Sequence, residues 1–208
     1  MKGKFITFEG AEGSGKSTHI KLLSRYLKNK GYPVVLLREP GSTHIGEQIR
    51  KMLLDKKNIE MAVAVEMLLC MAARAQVLKE KIIPALKKGK IVICDRFLDS
   101  TIAYQGYGGG LSVSFIKEMG KIITMGITPD LTILLDLEAK EGLRRAGRTK
   151  DRMEEKSFFF HRKVRLGYSK LAGENPRRIK VVEVDDRKSK TQDKIQIIVE
   201  KLLCRFKI

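Results

Sequence analysis

Short, nearly unbroken apolar runs alternate along this chain with longer stretches whose apolar residues recur every three or four positions, a pattern of buried strands exchanged with amphipathic helices. Phe5, Ile6 and Phe8 form the first run, and Val34 to Leu37, Ile91 to Cys94, Leu131 to Leu135 and Ile179 to Val184 form the others. The first helix is predicted over roughly Lys16 to Lys30, closed by Gly31 and Pro33, and a short one over Gly46 to Leu54. A long helix is predicted from about Glu60 to Lys88, with Met61, Val65, Leu68, Ala72, Ala75, Ile82 and Leu86 as its stripe and Leu69, Met71 and Ile83 off it. Its apolar surface is wider than one contact requires, which leaves open a second face against another subunit or burial within the chain. Pro84 is expected to bend or break the last turn.

After Gly89 and the third run come Asp95, Arg96 and Phe97, a helical stretch from Ser100 to Gln105, and GYGGG at Gly106 to Gly110, read as a mobile loop or a close backbone approach. Ser112 caps a helix carrying Phe115, Met119, Ile122 and Ile123, which Gly126 ends. Glu138 to Arg145 reads as helix, Gly147 to Asp151 interrupts it, and the next helix begins near Glu154, with Phe160, Val164, Tyr168 and Leu171 inside and Gly173 and Pro176 at its end. Ile195, Ile198, Val199, Leu202, Leu203 and Phe206 mark a closing helix. Strand and helix alternate from end to end without repeat or linker. The chain, residues 1–208, is therefore expected to form a single domain, an α/β sandwich on a parallel sheet with right-handed crossovers.

The bulk numbers narrow the class. At 208 residues and 43 % hydrophobic content the chain supports a substantial core, and no apolar run approaches a membrane span. Met1 to Lys4 leads directly into the first strand and leaves no room for a leader, so a cytoplasmic location is expected. Three separated cysteines, Cys70, Cys94 and Cys204, read as reduced thiols, and His19, His44 and His161 lack metal-ligand spacing. A net charge of +18 raises nucleic acid as a partner. Solvated lysines such as Lys28, Lys30, Lys56, Lys57, Lys87, Lys88 and Lys90 account for much of it, so nonspecific, salt-sensitive adsorption is all that is expected.

The chemistry concentrates between the first strand and first helix, in the pattern GxxxxGK[ST] from Gly10 to Ser17. Gly10, Gly13 and Gly15 tolerate the positive φ angles that turn N–H groups inward around an anion. Lys16 supplies an ammonium for the β and γ phosphates, Ser17 a hydroxyl for Mg²⁺, and the helix its positive dipole end. The loop Arg38 to Thr43 follows a strand directly, where open parallel sheets bind ligands. GTPase DxxG and NKxD motifs are absent. Arg96, directly after a strand, fits a second phosphate held opposite the loop, the layout for a kinase of phosphorylated acceptors, with an ion pair to Asp95 or Glu9 as its alternative. Arg144, Arg145, Arg148 and Arg152 around the Gly147 break fit a lid at about 144–153. Glu12 repels phosphate unless a cation compensates, and a lid arginine is the expected source.

FEGAEGSGKST, REPGST with Gly46 and Glu47, MAARAQ (Met71 to Gln76), DRFLDSTIAYQG (Asp95 to Gly106) and GRTKDRMEE (Gly147 to Glu155) run in the order found in bacterial thymidylate kinases, which the chain resembles over nearly its whole length. The resemblance implies a P-loop NTPase three-layer sandwich with five parallel strands and an arginine-rich lid. It also implies Mg²⁺-dependent transfer of the ATP γ-phosphate to dTMP, and a homodimer through the long helix at 60–88. Lys16, Arg96, Arg148 and then Arg152 would be catalytic, with Glu9 near the acceptor's sugar and phosphate. Gly10, Ala11, Glu12, Gly13, Ser14, Gly15, Lys16, Ser17 and Thr18, with Arg144, would hold ATP, and Ser17 the metal. Arg38, Pro40, Arg74, Arg96, Ser100, Thr101, Tyr104 and Gln105 would hold dTMP, Arg74 at the thymine edge, Thr101 and Gln105 beside the base and Tyr104 against the sugar. Two departures stand out. Ser42 replaces the family's second glycine in REPGGT, and Cys70 replaces a phenylalanine that stacks on thymine, so weaker dTMP binding is expected unless Met71 or Phe97 covers the base. Competing readings are a kinase of dUMP or a deoxynucleoside, a nucleic-acid-stimulated ATPase, and an inactive nucleotide-binding homologue.

Overall fold

In a computed structural model that describes residues 3–147 and 151–204, each of the five apolar runs is a strand. These are β1 (Lys4–Glu9), β2 (Val34–Arg38), β3 (Ile91–Asp95), β4 (Leu131–Asp136) and β5 (Ile179–Glu183). They form one parallel sheet in the order β2-β3-β1-β4-β5. The central strands are buried on both faces, which is why they read as continuous apolar runs and not as alternation. Each strand ends on a polar residue beyond its last apolar one, at Glu9, Arg38, Asp95, Asp136 and Glu183. Register places Arg38 beside Asp95 and Asp95 beside Phe8, so the polar ends of β2, β3 and β1 share the C-terminal edge. Ligands bind at that edge where strand order reverses, and here β1 stands between β3 and β4.

The helices are α1 (Lys16–Asn29), α2 (His44–Leu54), α3 (Val63–Val77), α4 (Ile83–Lys87), α5 (Leu98–Thr101), α6 (Val113–Ile123), α7 (Ala139–Ala146), α8 (Phe158–Glu174) and α9 (Lys188–Cys204). Ile20, Leu23 and Leu27 of α1 pack with Ile195, Val199 and Leu203 of α9 under one face of the sheet. Val164, Tyr168 and Leu171 of α8 pack with Met67 and Met71 of α3 on the other. The result is a three-layer α/β sandwich. Ser112 caps α6 by accepting from the Phe115 amide, as its sequence predicts.

The long helix departs from expectation in phase. Val65, Leu68, Ala72 and Ala75 of the predicted stripe are exposed, while Met67, Met71, Arg74, Val77 and Leu78 are buried. Apolar residues occupy both faces, so periodicity alone does not choose the inner one. The buried Arg74 ion pair fixes that choice. Pro84 breaks nothing, because the helix has already widened to π winding over Leu78–Ile82 and Pro84 opens α4. The helix predicted near Glu154 starts instead at Phe158, with Ser157 as its cap. Phe206 lies outside the described residues.

Within GYGGG the structure shows the close backbone approach. After α5 the chain continues in π winding over Ile102–Gly108, with Gly106 buried. A Cβ on Gly108 would lie 2.7 Å from Phe160 and 2.9 Å from Val164, so α8 reaches this segment only because glycine has no side chain. Gly108→Ala is therefore expected to cost about 1–3 kcal/mol in urea unfolding, as overpacking does. An unchanged midpoint would show that α8 moves aside freely.

Candidate active site

The turn between β1 and α1 takes the backbone its glycines permit. Gly10, Gly13 and Gly15 have φ values of 140°, 67° and 85°, and Gly15 caps α1 in the left-handed region. Lys16 is buried and its Nζ donates to the carbonyls of Gly10 and Ala11 at 3.0 and 2.9 Å. Burial first, and then the Arg96 charge, bring its pKa down to about 8. Ser14 turns inward and donates to the Ala11 carbonyl. Glu12, Gly13, Gly15, Lys16, Ser17 and Thr18 line a polar cavity of about 750 Å³, counted to its open mouth, together with Arg38 and Asp95. Gly10, Ala11 and Ser14 stand behind that wall.

A second cavity of about 720 Å³ opens beside the first. Leu53, Leu54, Cys70, Phe97 and Met153 give it apolar walls, and Arg74, Ser100, Thr101, Tyr104 and Gln105 give it polar ones. Glu12, Glu39, Arg50 and Arg96 line both cavities and so form the partition between them. Pro40 lines the second cavity, whereas Arg38 lines only the first, where it pairs with Glu47 at 2.8 Å.

Arg96 adopts a φ of 71° at the end of β3, and its guanidinium is heavily committed. Nη2 donates to Glu12 Oε1 at 2.9 Å and to the Tyr104 hydroxyl at 3.1 Å, and Nη1 to the Gly10 carbonyl, Ser100 and Tyr168. The pairing with Asp95 or Glu9 considered from sequence does not occur. Burial pushes the Glu12 carboxyl up, but Arg96 and Lys16 beside it overcome that and bring it down to about 2. Among the described residues, the cations that compensate Glu12 are thus Arg96 and Lys16.

Glu9 lines neither cavity. It is fully buried beneath Arg96 and Ser100, accepting from the Phe97 amide at 2.7 Å, from Ser100 and from Tyr168 at 3.0 Å. The structure thus sets Glu9, expected near the acceptor's sugar and phosphate, directly behind Ser100 in the wall of the second cavity. Burial, and then the charge of Asp99, raise it from 4.5 to about 7. Arg74 is likewise buried, donating to Glu39 at 2.8 Å and to Thr101 at 3.0 Å over the Phe97 ring. Of the two residues considered as replacements for an aromatic at Cys70, Phe97 lines the cavity. Met71 lies away from it, accepting from Arg74.

The arginines around Gly147 diverge. Arg144 is exposed and pairs with Glu141, and Arg145 reaches Glu141 and Asp186. Arg148 lies outside the described residues. Arg152 is buried against Glu66 at 2.7 Å and donates to the Leu53 carbonyl, so its guanidinium does not face the phosphate loop as expected. Helix α7 does approach the loop, since a Cβ on Gly13 would meet the Gly142 carbonyl at 2.1 Å.

Sequence reading passed over Asp95 as a ligand and omitted Arg50, Glu39 and Tyr168 from the candidate site. Asp95 Oδ2 accepts from the Ser17 hydroxyl at 3.1 Å, and its position directly after a buried strand was the available signal. Arg50 sits on α2 with Nη1 on the Pro40 carbonyl, and burial followed by the nearby Arg38 and Arg96 charges disfavours its own charge. A bound anion would relieve that. Nothing in local spacing marks it. Ser42 holds a φ of 66°, the backbone for which glycine is ordinarily chosen, and offsets it by bonding its hydroxyl to Arg38 and its amide to Glu47.

Among the described residues no helix is long and apolar enough to cross a membrane, and no group of three or more His, Cys, Asp or Glu side chains could hold a metal. The family profile described as thymidylate kinase matches residues 8–195. A thymidylate kinase from Thermoanaerobacter sp. (strain X514) is 48 % identical over 204 residues, 98 % of this chain and 100 % of that protein. One from Symbiobacterium thermophilum is 48 % identical over 202 residues, covering 97 % and 94 %. The crystal structure of thymidylate kinase from Ehrlichia chaffeensis superposes with a TM-score of 0.79 at 34 % identity, covering 95 % of this chain and 98 % of that one.

The raised Glu9 pKa has a measurable consequence. Held protonated more strongly in the folded chain, Glu9 contributes stability that is full below pH 4.5 and is lost as pH rises through about 7. Glu9→Gln lacks that loss. Its unfolding free energy relative to the parent chain is expected to rise between about pH 5 and about pH 8 in urea titrations. Parallel profiles would mean that Glu9 is ionised throughout.

Proposed function

Because the chain belongs to the thymidylate kinase family, we propose that it phosphorylates dTMP to dTDP with Mg²⁺-ATP in dTTP biosynthesis, through the residues that divide its two cavities. The observation that carries this reading is the shared partition. A polar cavity over the phosphate loop and a partly apolar one of nucleoside size meet at Arg96, Arg50, Glu12 and Glu39. Donor and acceptor phosphates therefore meet beside Arg96 and Arg50, with Lys16 in the adjoining wall, and phosphoryl transfer requires such placed cations more than any covalent participation.

In this account ATP lies over Gly13, Gly15, Lys16, Ser17 and Thr18. Lys16 moves from the loop carbonyls to the transferring phosphoryl group, and the amide groups of the loop hold its charge in place. Arg96 receives the acceptor phosphate, aligned by Tyr104, Tyr168 and Ser100, with Glu9 as a positioning residue beneath. Arg74, Thr101 and Gln105 surround the base. Ser17 and Asp95, hard oxygen donors in contact at the cavity wall, fit Mg²⁺, which when bound neutralises phosphate charge. The segment at about 144–153 is proposed as a lid, supported by the contact of α7 with Gly13. A second copy of the chain is proposed against the outward face of α3, where Val65 and Leu68 are exposed.

Steady-state ADP release with dTMP, dUMP, dCMP, dGMP and thymidine, with products identified by chromatography, tests the assignment. dTDP formation from dTMP should lead clearly. Transfer to none of them, with ATP hydrolysis stimulated by nucleic acid, would overturn it. Cys70 and Phe97 both line the base cavity, so Cys70→Phe should tighten dTMP binding by about 1–3 kcal/mol in calorimetry if the added ring stacks on thymine. Unchanged affinity would show that the existing walls already cover the base.

A further inference from the structure

Glu66 is an ionisable side chain that the transfer chemistry does not use, and it is 1 % exposed. Its two oxygens join three parts of the chain. Oε1 accepts from Arg152 Nη1 at 2.7 Å and Lys156 Nζ at 2.9 Å, and Oε2 accepts from Gln105 Nε2 at 3.1 Å. Burial pushes its carboxyl up, but the bonds from Lys156, Gln105 and Arg152 outweigh that and hold it below the usual range, so it is an anion at neutral pH.

An ionised carboxylate only accepts hydrogen bonds, whereas a carboxamide has one donating end and one accepting end. Gln105 must therefore turn its nitrogen to Glu66, and its oxygen is what remains for the cavity it lines. Reversing the amide would set two oxygens against each other in a buried place, a cost of the size of an unsatisfied buried polar group. The carboxylate cannot swing away to permit reversal, because Arg152, itself bonded to the Leu53 and Leu54 backbone, and Lys156 hold its other oxygen.

We infer that Glu66 is a positioning residue for base selection: it fixes the Gln105 carboxamide with its oxygen toward the acceptor cavity, favouring a pyrimidine that offers a ring N–H there over one that offers a lone pair. The inference rests on the reading of that cavity as the acceptor site. Thymine and uracil carry the ring N–H at N3 and cytosine carries a lone pair, so preference among pyrimidine nucleotides originates in a residue whose own contacts are all with protein.

The test uses the full chain and its Glu66→Gln, Glu66→Asp and Lys156→Met variants, titrated calorimetrically with dTMP, dUMP and dCMP and assayed for turnover. A neutral amide at position 66 can present either end, which frees Gln105 to reverse. In Glu66→Gln the ratio of dTMP to dCMP affinity should fall about tenfold or more, the range a mispaired buried hydrogen bond spans. Binding of dTMP and dUMP should weaken in parallel, and KM for dTMP should rise more than kcat falls. Lys156→Met leaves Arg152 holding the same Glu66 oxygen and Gln105 untouched, so the ratio should stay unchanged. Should Glu66→Gln not fold, Glu66→Asp, which keeps the charge but withdraws it from Gln105, carries the same expectation. A folded variant whose ratio stays within about twofold of the parent overturns the inference, since a purely structural role would lower stability and leave selectivity alone. Binding of dTMP without its phosphorylation would overturn the kinase reading, while a shifted ratio would still uphold the role of Glu66.

Discussion

A carboxylate inside a phosphate-binding loop can persist only beside enough positive charge, and the contact between Glu12 and Arg96 meets that condition. Much of the site follows from it. Arg96 comes from the end of β3 and Glu12 from the turn after β1, adjacent strands in the sheet, so the pair spans the C-terminal edge where ligands bind. Tyr104 and Tyr168 complete the coordination of the guanidinium, and α8, which carries Tyr168, packs on the segment that carries Tyr104 because Gly108 leaves room for Phe160 and Val164. A charge held by four kinds of partner has little orientation left to lose when a phosphate arrives. That is electrostatic preorganisation, the main contribution a protein makes to phosphoryl transfer.

The same arrangement explains why buried charge is tolerated so widely here. Arg74 with Glu39, Arg152 with Glu66 and Arg178 with Asp99 are each enclosed or nearly so. Desolvating such pairs is costly, and they are weak evidence for added stability. Their positions suggest another use. Glu39 and Arg74 stand in the wall of the second cavity, and Glu66 bonds Gln105 in that wall, so these two pairs set directions of hydrogen bonding there.

How much of this was legible in the sequence depended on distance along the chain. The strands, the glycine backbone of the phosphate loop and the cap at Ser112 are set by neighbouring residues, and local pattern found them. The inward face of α3 was misread because both faces are apolar, and the choice is made by Arg74 with a partner 35 positions away. Arg152 looked like a lid residue by its neighbours, yet its partner Glu66 is 86 positions away. Asp95 was marked only by its place after a buried strand, and Arg50 carries no spacing signal at all, so the assembled edge gives it a role. The family resemblance supplied Arg74, Thr101 and Gln105 before geometry did. It also set Glu9 near the acceptor, and the structure shows how it would act there, behind Ser100 and Tyr168.

The central claim is that Arg96, held by Glu12 and the two tyrosines, is the receptor for the acceptor's phosphate. The most direct measurement compares dissociation constants for dTMP and thymidine in the parent chain and in Arg96→Met. The account predicts a large preference for dTMP in the parent chain that nearly vanishes in the variant, while thymidine affinity changes little. A preference that survives loss of the guanidinium would place the acceptor phosphate elsewhere and contradict it.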